Sequence, residues 1–90
     1  MKSLYIINQP TKLNQALPYM AEQDAVLLTE DAVMLATSEQ AELPDLKLYV
    51  LEEDLIARGL QDQIVDGWQL VDYPQFVELT LSFDKSVSWL

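Results

Sequence analysis

The sequence predicts a small three-layer α/β domain, a mainly parallel sheet of four or five strands with helices on both faces. Three observations carry this. Leu4–Ile7, Ala25–Thr29 and Lys47–Leu51 are short, nearly continuous apolar runs, the composition of strands covered on both faces. Each is followed at once by turn formers or acids and then by a helical stretch. The segments between runs are roughly a dozen residues or longer, as parallel crossovers require.

The stretch Leu46–Leu60 organises the rest. Its strand, Lys47–Leu51, runs into Glu52, Glu53 and Asp54, whose charges fall where a helix begins and its N–H groups lack partners. Gly59 is placed to end that helix in the left-handed conformation, with Leu60 folding back on Leu55 in a Schellman stop. Asp54 and Arg58 are four apart with the acid first, the favourable order for a helical ion pair.

The remaining elements follow in chain order. After the first strand, Asn8-Gln9-Pro10 forms a turn, and Thr11 is the expected cap of a helix with apolar positions Leu13, Ala16, Leu17, Met20 and Ala21. Pro18 removes a backbone bond and crowds the Asn14 carbonyl, so a kink or break is expected there. Strand two is followed by Glu30-Asp31 and a short helix, Ala32–Thr37. Ser38–Asp45, with Pro44, is a polar connection. Asp66-Gly67 is a turn leading into strand four, Trp68–Val71. Asp72-Tyr73-Pro74-Gln75 has the form of a capping box with proline in the first turn. Val77, Leu79, Leu81 and Phe83 then alternate with Glu78, Thr80 and Ser82, which by periodicity alone is a strand. The box and the need for a crossover outweigh it, so Pro74–Leu81 is predicted helical. A last strand, Val87–Leu90, is expected to dock on the sheet edge or in an interface. The predicted strand order is the flavodoxin-like 2-1-3-4-5.

Composition narrows function. The 90 residues make one domain, residues 1–90, and half of them are hydrophobic, so some apolar surface is expected to face a partner. A net charge of −10 repels phosphate and argues against direct nucleic-acid binding by the chain alone. There is no cysteine and no histidine, which excludes thiol nucleophiles, disulfides and the common zinc, haem and triad chemistries. Gly59 and Gly67 are the only glycines, so no Gly-rich loop exists for a nucleotide and no cofactor is expected. The apolar run near Met1 is too short for a signal peptide or a membrane span, and a cytoplasmic protein is expected.

The carboxyl ends of the strands would carry Glu30, Asp31, Glu52, Glu53, Asp54 and Asp72. A magnesium-dependent phosphoryl-transfer or receiver-like site would use such a ring. It would also want acids after the first strand, where Asn8 and Gln9 stand, and a base to meet the phosphate. The alternative, that each acid complements a helix start, is favoured. Tyr49 and Trp68 read as core; Tyr73 divides between core and contact surface.

Glu53-Asp54-Leu55-Ile56-Ala57-Arg58-Gly59-Leu60, then Gln63-Ile64, Leu70-Val71-Asp72-Tyr73, Phe76-Val77 and Leu79-Thr80, resemble the C-terminal half of the TusB/DsrH family. Glu30-Asp31-Ala32-Val33 extends the likeness into the N-terminal half. The resemblance implies a DsrE-like fold and membership of a bacterial sulfur-relay complex with TusC/DsrF-like and TusD/DsrE-like subunits. It further implies a TusA-like donor and a TusE-like acceptor, serving 2-thiolation of the tRNA wobble uridine or, in DsrH-like relatives, sulfur oxidation. The sulfur-carrying cysteine belongs to the TusD/DsrE-like subunit, so a non-catalytic, structural role is implied here. The isolated chain could form a homo-oligomer. No catalytic, metal or cofactor residue is assigned; the candidate partner-contact residues are Glu53, Asp54, Arg58, Leu60 and Tyr73.

Overall fold

The computed structural model describes residues 2–38 and 46–89. Five strands, β1 (Ser3–Ile7), β2 (Ala25–Leu28), β3 (Lys47–Leu51), β4 (Trp68–Val71) and β5 (Lys85–Trp89), form one sheet in the order β4-β3-β2-β1-β5. Every neighbouring pair is parallel, in registers such as Leu4↔Ala25, Val26↔Leu48, Val50↔Leu70 and Tyr5↔Val87. The fold class is the one predicted; the strand order is not. Each of the first three crossovers moves the chain one place in the same direction, and only the last returns across the sheet to pair beside β1. Right-handed crossovers then place the first three connections on one face and the last on the other. Residue patterns specify a strand's burial, not the side of its neighbour on which it adds.

Alternation along the strands divides the core in two. One face carries Tyr5, Ile7, Val26, Leu28 and Val50; the other carries Leu4, Leu27, Leu51 and Val71. The first is covered by α1 (Pro10–Ala16), a 3-10 helix over Glu30–Thr37, and α2 (Glu52–Ala57), which contribute Leu13, Ala16, Ala32, Val33, Ala36 and Leu55. Among the described residues the second is covered by α3 (Tyr73–Ser82) alone, through Phe76 and Leu79, with Phe83 just beyond it. β2, flanked by β1 and β3, is buried at all four positions, as its unbroken apolar run requires. β5 sits at an edge with exposed Lys85, Ser86 and Ser88, a composition that resists further pairing. Its start is clamped to β1: the Lys2 N–H donates to the Asp84 carboxylate at 2.7 Å, and the Asp84 N–H donates to the Lys2 carbonyl at 2.9 Å.

Several local expectations change. Pro10 opens α1 as its first residue after Gln9, so Thr11 is not the cap; proline has no N–H to satisfy and its φ already suits a helix. The break at Pro18 is present: α1 ends at Ala16 and a 3-10 turn, Leu17–Tyr19, follows. Met20 is extended, so Ala21 falls outside the helix and is exposed. The stretch after β2 is 3-10 and begins at Glu30, two residues before the predicted start. Val33 and Ala36, three apart, share its inner side as that geometry dictates. The last strand begins at Lys85, not Val87; Leu90 and the connection over 39–45 lie outside the described residues.

The stop after α2 is the predicted one. Gly59 has φ +69°, its N–H donates to the Ile56 carbonyl at 3.1 Å, and the Leu60 N–H donates to the Leu55 carbonyl at 2.9 Å. The capping box of α3 is also formed: Asp72 accepts from the Gln75 N–H and Gln75 Oε1 from the Asp72 N–H, each at 2.9 Å. The ambiguous segment is therefore helix, Tyr73–Ser82.

Candidate functional site

A parallel sheet places the ends of its strands, and the residues just after them, along one edge. Here Thr29, Glu30, Leu51 and Asp54 meet Ile6, Tyr73 and Phe76 around a crevice of about 250 Å³. Its acids are held by the backbone. Asp54 accepts from the Glu30 N–H at 2.6 Å, and Glu53 accepts from the Tyr73 N–H at 3.4 Å. Glu30 begins the 3-10 helix and Tyr73 begins α3, so the first turn of α2 satisfies N–H groups at the starts of the two helices flanking it in sequence. The acids do complement helix starts: Asp72 caps its own helix, and Glu53 and Asp54, in the first turn of theirs, also serve the starts of neighbouring elements. Glu30 itself stands at φ +50°, a left-handed conformation strained for a side-chain-bearing residue and pinned by the Asp54 bond.

The expected ion pair between Asp54 and Arg58 is a long one at 4.0 Å. Arg58 turns instead to Asp31 at the start of the 3-10 helix, donating from Nε at 3.2 Å and from Nη2 at 2.9 Å. Local spacing favoured the pair within the helix; the fork of the guanidinium finds better geometry across the layer. Leu60 packs, partly buried, against the larger core cluster. All five candidate contact residues, Glu53, Asp54, Arg58, Leu60 and Tyr73, thus have bonds or packing within the chain. Tyr73 alone among them combines a wall of the crevice with a side that is half exposed.

Among the described residues no group of three or more acids is arranged to hold a metal ion. A larger crevice, about 470 Å³, opens at the opposite edge between Lys2, Glu22, Lys47, Tyr49, Leu79 and Phe83. Tyr5 lies near that edge; its phenol is raised above the usual value by burial first and by the Asp24 charge second, and it donates to the Tyr19 carbonyl at 3.0 Å.

One feature escaped the sequence reading. On α3, Tyr73, Val77 and Leu81 are 51, 57 and 80% exposed, while Phe76 and Leu79 pack on the sheet. Residues two apart stand about 200° apart around a helix. A period-two apolar pattern wound as a helix therefore becomes two opposed stripes, one inward and one outward. The signal was present in the alternation of Val77, Leu79, Leu81 and Phe83 behind a capping box.

The family model described as DsrH like protein matches residues 8–86. The chain belongs to the DsrH family. Relatives in the family include the Protein TusB of Yersinia enterocolitica, 40% identical over 86% of each chain, and those of Yersinia pestis and Yersinia pseudotuberculosis, each 39% identical over the same share. The matched span includes every residue that carried the resemblance, from Glu30 through Thr80, and takes in both α2 with its glycine stop and the two-sided α3.

Proposed function

We propose that this chain is a non-catalytic subunit of a sulfur-relay complex that supports 2-thiolation of the tRNA wobble uridine, built with TusC/DsrF-like and TusD/DsrE-like companions. The observation that carries the proposal is a DsrH-family chain with no cysteine and no histidine. Relay of sulfur requires a thiolate that attacks the outer sulfur of a donor persulfide, forms a new S–S bond and releases the donor's thiolate. This chain has no such group, so the thiol resides on a companion, which receives sulfur from a TusA-like donor and hands it to a TusE-like acceptor. The likeness to proteins named TusB favours the tRNA pathway over sulfur oxidation. With no helix among the described residues long and apolar enough to cross a membrane, the reading is of a cytoplasmic complex.

Co-expression with the two companion subunits tests this. The expected result is a stable assembly containing all three chains, and restoration of thiolated tRNA in a strain lacking this subunit. A chain that stays monomeric in sedimentation whether or not the companions are present would overturn the proposal.

A further inference from the structure

We propose that the outward stripe of α3, Tyr73, Val77 and Leu81, is the apolar centre of the surface that binds a companion subunit, and that the companion's facing surface is apolar with a rim of lysine or arginine. This rests on the relay-complex reading and adds to it the surface and the chemistry of the partner.

The stripe is built rather than incidental. Among the described residues α3 covers its face of the sheet alone, and it buries none of its own residues completely, whereas α1 and α2 each bury at least one. A solvent-facing helix ordinarily puts polar residues at the positions taken here by Val77 and Leu81, which follow Tyr73 at successive turns. Three exposed apolar side chains in one row supply less than the ~800 Å² per partner of a stable interface, so they form its centre and the flanking polar residues its rim.

Charge selects the occupant. From Gly59 through Asp84 the chain has no lysine or arginine, while Asp72 capping α3, Glu78 on it and Asp84 just after it are acidic; Lys2 and Lys47 meet the helix beside Leu79 and Phe83, residues of its inward side. A second copy packed about a two-fold axis on this stripe would bring two such acidic surfaces together, between chains of charge −10 each. A surface with a basic rim removes that repulsion and pairs the same acids. Tyr73 also walls the crevice at the carboxyl edge of the sheet, so a companion seated on the stripe lies against its opening.

The test measures affinity of the full-length chain for the preformed pair of TusC-like and TusD-like companions from the same genome. Leu81→Glu and Val77→Glu are expected to weaken binding by about 30-fold or more, the effect of a charge at an interface centre. Met34→Glu, at a comparably exposed apolar position on the opposite layer, is expected to change it by no more than about 2-fold. Glu78→Lys should weaken binding and flatten its dependence on salt between about 50 and 500 mM. Circular dichroism melts of each free variant establish folding, and the milder Leu81→Ser replaces Leu81→Glu if the charge disturbs the helix. Stripe variants that bind as wild type does, in an assembly that still forms, would overturn this inference and leave the relay reading standing. Failure of the wild-type chain to bind the pair would overturn both. A wild-type homodimer that Leu81→Glu splits would overturn the choice of partner.

Discussion

Replacing Gly59 with alanine separates two reasons for the EDLIARGL segment, folding and partner contact. Gly59 stands at φ +69°, and a Cβ built there would meet no atom within 4 Å. No clash contributes, so the cost is the backbone conformation alone. Holding an L-residue left-handed costs about 1–2 kcal/mol, and the loss of glycine's freedom in the unfolded chain returns about 0.4–1 kcal/mol. The net expectation is a loss of about 1 kcal/mol, which in a chain this size lowers the melting temperature by about 4–8 °C. Gly59→Asn should lose less, because asparagine tolerates that region. Urea and thermal denaturation of the free chain give the numbers, and affinity for the companion pair is measured beside them. Affinity should be unchanged once both variants are folded, since Gly59 serves to turn the chain so that Leu60 reaches the core. Full stability in the alanine variant, or lost affinity in a fully folded one, would refute this account of the segment.

Other consequences are as direct. Asp24, buried, accepts from the Ser3 and Ala21 N–H groups at 2.9 Å each, so Asp24→Ala should cost about 3 kcal/mol in urea unfolding. Asp24→Asn retains one acceptor oxygen and should cost about half; equal losses would contradict the two-bond arrangement. Tyr5 ionises less readily folded than unfolded, so above about pH 10 the unfolded chain gives up its proton first and stability falls until the raised folded value is passed. Comparing Tyr5→Phe with wild type across that range should reveal this component as the difference in slope, and parallel curves would dismiss it. Leu55→Ala removes a fully buried side chain from beneath α2, with a loss of about 2–5 kcal/mol expected from thermal melts. Asp72→Ala opens the capping box and should cost about 1 kcal/mol with lower helicity by circular dichroism; an unchanged spectrum and stability would show the box to be idle.

Function was legible to a different depth from fold. The missing thiol and imidazole are facts of composition, and the residues of the α2 segment pointed to the family without coordinates. Which of its residues remain available to a partner was not readable. Asp54 and Arg58 look like a surface pair in the sequence, yet their bonds reach Glu30 and Asp31, residues more than twenty positions away. Side chains free to make contact are those the rest of the fold leaves over, and that remainder is known only once the layers are assembled.

The amino-acid sequence by itself determined the local elements: apolar runs for β1, β2 and β3, the Gly59 stop, the Pro18 break and the Asp72–Gln75 box, each set by the chemistry of neighbouring residues. Tertiary structure alone decided the order β4-β3-β2-β1-β5, the linking of α2's acids to neighbouring helix starts, and the two-sidedness of α3. The physical reason is range. Caps, turns and periodicity act over a few residues, whereas the edge on which a strand adds, and the side of a helix left uncovered, depend on which distant surfaces compete to bury it.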